Sequence, residues 1–236
     1  MIDTAILLAA GEGSRLRDTA PLKPLCLVGS RPLIDHAIAG LAAAGLERVI
    51  VVLGYGAERI DAHLAATSWP VTIETVRSPD YLQPNGVSVL AAEPCVGGSE
   101  AVLAMCDHLV EAELYHRIAE SGAADGARLA IDRRLDNDWV DLDDVTCVQS
   151  DGARIVAIGK QLADYDSFDM GVFAIGPDLF ATLRRLQHPS LTEGMRSLAA
   201  QRRASSLDCS GLAWIDVDDN VALQKAEAWL RHASPL

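Results

Sequence analysis

Residues Thr4 to Ala9 read as a buried strand that stops abruptly at Ala10-Gly11-Glu12-Gly13-Ser14-Arg15-Leu16. A strand running straight into small and glycine residues leaves backbone N–H groups uncovered, and a phosphate chain can lie against them. Arg15 and, beyond Pro21-Leu22, Lys23 bring positive charge to the same loop. The combination predicts a first β-α connection that holds a nucleoside triphosphate, with Arg15 and Lys23 as the cations.

Two common nucleotide loops are excluded by the residues they lack. The dinucleotide fingerprint Gly-x-Gly-x-x-Gly needs a third glycine so that helix and strand can pack closely, and Leu16 stands there instead. The ATPase loop ends in Gly-Lys-Ser/Thr, which occurs nowhere in the chain.

The pattern beyond the loop alternates. Helices are predicted over Pro32–Ala44, Glu58–Ala66 and Glu113–Glu120, with a short one beginning at Ser88–Ala92, and strands over Arg48–Leu53, Val71–Val76 and Ala101–Cys106. Strands alternating with helices imply an α/β fold with a mostly parallel, Rossmann-like sheet covered on both faces. From about 127 to 172 the pattern changes to short extended pieces separated by turns, read as a small β lobe beside the sheet. Helices return at Pro177–Leu186 and Leu191–Arg203, and a last strand, Ala213–Val217, leads into a helix over Asn220–His232. The 236 residues, half of them hydrophobic, are expected to form a single domain.

Composition narrows the partners. A net charge of −13 argues against nucleic acid and anionic membrane, which most of the surface would repel. No apolar run approaches the roughly 20 residues that cross a bilayer, and Met1-Ile2-Asp3 opens directly into a strand, so a cytoplasmic protein is expected. The five cysteines are scattered, without a Cys-x-x-Cys pair, and read as reduced, buried thiols. Of the basic residues only Lys23, Lys160 and Lys225 are lysines. Two of these fall in segments expected at the site, where a compact ammonium reaches a phosphate.

The carboxylates follow from strand ends. Asp107 comes directly after the apolar run Ala101–Cys106 and is expected at the carboxyl edge of a central parallel strand, where ligands bind in open α/β sheets. Trp214-Ile215-Asp216-Val217-Asp218 also ends a strand in acids, while Asp219 reads as the cap of the last helix. Asp107 with Asp216 or Asp218 would hold Mg2+, which takes one or two protein carboxylates and keeps waters and substrate phosphates as its other ligands. An Asp-x-Asp pair also occurs in metal-dependent glycosyltransferases, but those have no need of the loop from Gly11 to Lys23.

Ala9, Ala10, Gly11, Gly13, Arg15, Leu16, Pro21, Lys23 and Pro24 together resemble the signature of the sugar-phosphate nucleotidyltransferases. Further segments sharpen the resemblance toward one branch, the CTP:inositol-1-phosphate cytidylyltransferases. They are Asn85-Gly86-x-Ser88, Met105-x-Asp107-His108, Val140-Asp141, Ile158-Gly159-Lys160-x-Leu162, Tyr165-Asp166-x-x-Asp169-x-Gly171-x-Phe173 and Trp214-x-Asp216-x-Asp218. Met170, where a threonine is common, and Asp219-Asn220, in place of a frequent Thr-Pro, depart from the pattern.

The resemblance implies an enzyme that joins CTP to inositol 1-phosphate or a related phosphorylated alcohol, with Mg2+ as cofactor. It implies that Ala9, Ala10 and Gly11 line the base and ribose, with Leu8 and Gly13 also on the nucleotide, that Asn85 and Gly86 meet the base with Ser88 close by, that Lys160 faces the acceptor phosphate, and that Asp169 accepts hydrogen bonds from acceptor hydroxyls. His108, on the acceptor side, is expected to make a structural hydrogen bond rather than to transfer a proton. Phosphocholine or a sugar 1-phosphate as acceptor, and a non-catalytic nucleotide sensor, stay open at this point, as does a homodimer.

Overall fold

The computed structural model describes residues 1–232. The first half contains β1 (Thr4–Ala9), β2 (Leu27–Val28), β3 (Arg31–Pro32), α1 (Leu33–Ala43), β4 (Arg48–Leu53), α2 (Ala57–Ala66), β5 (Thr72–Arg77), α3 (Gly86–Val96), β6 (Ala101–Met105), β7 (His108–Val110) and α4 (Ala112–Ser121). The second contains β8 (Ala127–Asp132), β9 (Cys147–Asp151), β10 (Arg154–Gly159), β11 (Ser167–Ile175), α5 (Pro177–Leu183), α6 (Leu191–Ala200), β12 (Ala204–Asp208), β13 (Trp214–Asp216) and α7 (Asn220–His232).

Nine strands make one sheet in the order β5-β4-β1-β6-β11-β8-β12-β10-β9. Side chains alternate across a strand, so β1 and its neighbours feed two cores at once. Leu7, Val51 and Val102 point to the face covered by Ile38 of α1, Ile60 of α2 and Leu114 of α4. Ile6, Val52 and Leu103 point to the other, covered by Val89 of α3, Phe180 of α5 and Met195 of α6. Each such side chain contributes about 1.5–3 kcal/mol when fully buried, so both faces of the strands nearest the site are held by packing.

The α/β class with helices on both faces is as the alternation predicts. Parallel pairing, however, is confined to β5-β4-β1-β6 and to β8 with β12. β11 lies antiparallel between β6 and β8, so the sheet as a whole is mixed. The reason lies in the connections: after α4 the strands β9 and β10 are joined by the tight turn at Asp151-Gly152, and hairpin neighbours run antiparallel. Residues 127–172 therefore form no separate lobe but continue the same sheet. β8 and β11 are buried along nearly their whole length on both sides, which only a position inside a covered sheet allows.

β12 is the strand that the sequence pattern hides. Ala204-Ser205-Ser206 offers no apolar run, and the preceding helix stops at Ala200 rather than at Arg203. Burial of β12 comes from its parallel pairing with β8.

β13 joins β7 in a two-stranded antiparallel ribbon outside the main sheet, with Asp216 opposite His108. A third core fastens this ribbon to the first loop: Leu16, fully buried, packs with Cys26, Val28, Leu109, Ile215 and Val217, and Ala226 of α7 closes it. The leucine that stands in place of a dinucleotide-loop glycine is thus the anchor that ties the loop to the ribbon. Asp219 caps α7, its carboxylate accepting from the Ala222 N–H at 2.8 Å. All five cysteines are free thiols, and Cys95 alone among them is not fully buried. No helix among the described residues is long and apolar enough to cross a membrane.

Candidate active site

β1 and β6 run parallel and in register, Leu8 opposite Met105, so their carboxyl ends open on the same edge of the sheet. The Cys106 N–H still donates to the Leu8 carbonyl at 3.1 Å, and the next residue is Asp107. The Val217 N–H donates to the Asp107 carbonyl at 3.0 Å. That bond, with the β7-β13 ladder, brings acids more than a hundred residues apart in sequence to one point.

Lys23 fills the point. Its side chain is 7% exposed; Nζ donates to Asp107 Oδ2 at 2.6 Å and to Asp218 Oδ1, and lies 3.9 Å from Asp216 Oδ1. Burial by itself lowers a lysine pKa, but Asp107, Asp216 and Asp218 reverse this and hold it well above the ordinary range. Asp107 shows the converse. Burial favours its neutral form, yet Lys23 and His108 hold it well below the usual carboxylate range. The approach of Lys23 depends on Gly13, whose φ is +56° and where a Cβ would sit 2.3 Å from Lys23 Cβ. An L-residue is unfavourable there twice over, in backbone conformation and in space.

His108 Nδ1 is 3.0 Å from Asp107 Oδ1 and 3.7 Å from Asp216 Oδ1. Burial would lower its pKa, but Asp216 and Asp107 push it up to about 9. Trp214 stacks on it with ring centroids 6.2 Å apart. Its far edge lies on Gly171, at φ +75° in the bulged middle of β11, where a Cβ would come within 2.3 Å of the ring. His108 is therefore clamped between Trp214 and the β11 backbone, as suits the structural hydrogen bond expected for it.

Asp216 is the acid left unsatisfied. Its Oδ1 is buried without a hydrogen-bond partner among the described residues, and burial, with the neighbouring Asp107, pushes the carboxyl up to about 7. Ligand atoms of Asp107, His108 and Asp216 lie within 4.8 Å of one another. Two hard carboxylate oxygens beside a cavity, one of them orphaned, fit a divalent cation that keeps waters among its ligands. Asp218 stands next to them and is shared by Lys23 and Arg15.

Two cavities meet at Arg15, Asp107 and Asp218. The smaller, about 270 Å³, is lined by Leu8, Ala9, Gly11, Gly13 and Lys23, the residues of the first loop. The larger, about 590 Å³, lies between the ribbon and the far half of the sheet and takes in Asn85, His108, Lys160 and Asp169. Asp169 accepts from the Gly171 N–H at 2.7 Å, and burial pushes its carboxyl up to about 6. Lys160 is paired with Asp144, which also takes Arg15 at 2.5 Å.

Three residues expected to meet the nucleotide lie outside both cavities. The Ala10 carbonyl faces β4 and accepts from the Tyr55 N–H at 2.9 Å. Gly86 packs on Pro189, whose carbonyl would be 2.4 Å from any Cβ, and Ser88 is buried with its hydroxyl donating to Ser78 at 3.0 Å. These are contacts that seat α3 on its neighbours. Asn85 does line the larger cavity, with its side-chain oxygen accepting from the Leu191 N–H at the start of α6. Asp144 is a residue that sequence reasoning misses, since it sits in the acid-rich run from Asp136 to Asp144 that reads as solvated turns.

Residues 5–206 match the MobA-like NTP transferase domain family. The chain belongs to that family. This NTP transferase domain is 34% identical over 230 residues to the "Bifunctional IPC transferase and DIPP synthase" of Rubrobacter xylanophilus, covering 94% of this chain and 51% of that protein. It is 28% identical to the protein of the same name from Aquifex aeolicus, covering 98% of this chain and 52% of the relative. The chain thus spans about half the length of the curated relatives it matches. Its fold is shared by the inositol-1-phosphate CTP transferase from T. maritima, with a TM-score of 0.87 at 21% identity over 100% of this chain and 98% of that one.

Proposed function

We propose that this NTP transferase domain joins CTP to inositol 1-phosphate, releasing pyrophosphate and forming a CDP-alcohol. The observation that carries the reading is the placement of Lys23 among Asp107, Asp216 and Asp218 at the junction of two cavities, one built from the nucleotide loop and one large enough for a second substrate. The choice of CTP and inositol 1-phosphate is supported by the name of the T. maritima protein that shares the fold, by the likeness to the bifunctional IPC transferases over about half of their length, and by the motif segments around Asp107, Lys160 and Asp169.

The chemistry is the meeting of two anions. Unit charges about 4 Å apart repel by about 4 kcal/mol at an effective dielectric near 20, and several such pairs meet here. The acceptor phosphate, with a second pKa near about 6, arrives ionised and needs no general base. It attacks the α-phosphorus of CTP in line, the new P–O bond forming as the bond to pyrophosphate breaks. Lys23 screens the reacting centre, Arg15 holds the departing pyrophosphate, and Lys160 faces the acceptor phosphate. Leu8, Ala9, Gly11 and Gly13 form the nucleotide floor, and Asn85 faces the base from the other side of the junction. A Mg2+ held by Asp107 and Asp216, with Asp218 beside them, would supply further neutralisation of phosphate charge when bound. Positioning and fixed electrostatics then supply the rate enhancement.

Crossing four nucleotides with a panel of phosphorylated alcohols tests the assignment by pyrophosphate release. CTP with inositol 1-phosphate is expected to react fastest. Faster turnover of UTP or dTTP with glucose 1-phosphate would move the domain to a sugar-1-phosphate reaction.

Asp169 gives a pH prediction. Its carboxyl is pushed up to about 6 by burial, and only the ionised form accepts freely from acceptor hydroxyls. Acceptor affinity is therefore lost as pH falls through about 6 and is constant well above it. The acceptor phosphate titrates in the same window, so at saturating Mg2+, which keeps Asp216 ionised, kcat/KM for the acceptor should fall with a slope approaching two on a logarithmic plot. In Asp169→Asn the slope should drop to one, at a lower plateau; an unchanged profile removes Asp169 from the acceptor site.

A further inference from the structure

Asp144 stands between two cations that the cytidylyltransferase reading gives to different substrates. Its Oδ2 takes Arg15 Nη2 at 2.5 Å, and its Oδ1 takes Lys160 Nζ. Both carboxylate oxygens are thus committed to cations, and among the described residues the side chain accepts no backbone hydrogen bond. The turn that carries it is closed by backbone bonds instead, from the Asp144 and Val145 N–H groups to the Asp141 carbonyl at 3.2 and 2.9 Å. The carboxylate therefore contributes little to the shape of its own segment. Its bonds to Lys160 and Arg15 keep it ionised, with a pKa held down to about 2.

Exposure decides what such a bridge can do. Arg15 is 50% and Lys160 57% exposed, and Asp144 is 29% exposed on the wall of the larger cavity. Ion pairs this open to water are weak and exchange readily. A phosphate bearing two negative charges takes both cations from a singly charged carboxylate, and the carboxylate reclaims them as the phosphate departs.

We propose that Asp144 is a positioning residue that competes with substrate and product phosphates for Arg15 and Lys160, and so sets how readily pyrophosphate leaves. Resting on the cytidylyltransferase reading, the proposal predicts the sign of an effect that a structural role would reverse. Without the competitor the cations hold phosphate more tightly, KM for CTP falls, and kcat falls with it as product release slows. A residue that merely shaped the cavity would raise KM when replaced.

The experiment is calorimetric titration of inorganic pyrophosphate, with Mg2+ present, into wild-type protein, Asp144→Asn and Asp144→Ser, with thermal melts to establish folding. Asp143→Asn, which removes the same charge one residue away on an exposed side chain that has no ion pair among the described residues, controls for general electrostatics. A half-exposed pair is worth up to about fivefold in an equilibrium, and of the two released only the one on Arg15, which Asp218 continues to hold, bears on pyrophosphate, so pyrophosphate should bind roughly two- to fivefold more tightly to both Asp144 variants. Asp143→Asn should change affinity less than twofold. Equal or weaker binding in Asp144 variants that melt like wild type overturns the proposal and leaves the cytidylyltransferase reading standing. No pyrophosphate binding to wild type overturns both.

Discussion

Replacing Lys23 with alanine is expected to lower pyrophosphate release by a factor of about 10² or more, the scale for losing one preorganised stabilising group. Two effects act together. The ammonium is almost fully buried at the junction of the cavities, so no surface lysine or water reaches the same place with the same charge. Its removal also leaves Asp107 and Asp216 facing one another with His108 beside them, and Asp218 with Arg15 alone. An uncompensated charge cluster resists a triphosphate as strongly as it resists itself. The melting temperature should fall in the absence of divalent ions and recover partly when Mg2+ is added, because a cation can replace the lost charge. Lys23→Arg should not rescue turnover, since a longer, forked guanidinium does not reproduce the compact ammonium that is buried against Asp107 at 2.6 Å. Near-normal turnover in Lys23→Ala would remove Lys23 from the reaction.

Asp107→Asn and Asp216→Asn are expected to be comparably severe, each lowering turnover by about 10² to 10³. Each keeps the size of the side chain and removes the anionic oxygen. The double variant gives the decisive comparison. Groups that act as one unit are not additive, so if both acids serve a single ion the double variant should lie within about tenfold of the worse single one, not at the product of the two losses. Pyrophosphate release over a Mg2+ titration measures this, and the apparent Mg2+ requirement should rise in each single variant. Multiplicative losses with an unchanged Mg2+ requirement would show that the two carboxylates do separate things.

Much of this site is legible in the chain because strand ends in a parallel sheet announce themselves. An apolar run followed by an acid, as at Ala101 to Asp107, has one place to go, and the loop after β1 carries its cations within a few residues. The acids of Trp214-x-Asp216-x-Asp218 are equally visible as a strand end. What is hidden is that β13 leaves the main sheet to pair with β7, because a three-residue strand carries no information about its partner. The second half of the sheet is hidden for a related reason. Alternation of strand and helix in the first half suggests parallel crossovers throughout, whereas the antiparallel insertion of β11 is decided by long-range pairing with β6 and β8. Asn85-Gly86-x-Ser88 illustrates the opposite error. The motif is visible, but Gly86 and Ser88 answer to packing under α3, and only Asn85 reaches a cavity. Asp144 escapes notice because its partners, Arg15 and Lys160, come from distant parts of the chain.

The central claim is that a buried lysine and a divalent ion on distant acids share one place and let two phosphates meet there. A crystal structure with CTP and Mn2+ in place of Mg2+, read by anomalous scattering, tests it most directly. One metal is expected within coordination distance of both Asp107 and Asp216, touching an α-phosphate oxygen, with Lys23 turned from Asp218 toward the same phosphate. Metal bound away from these two acids, or a triphosphate lying outside the loop from Gly11 to Lys23, would contradict it.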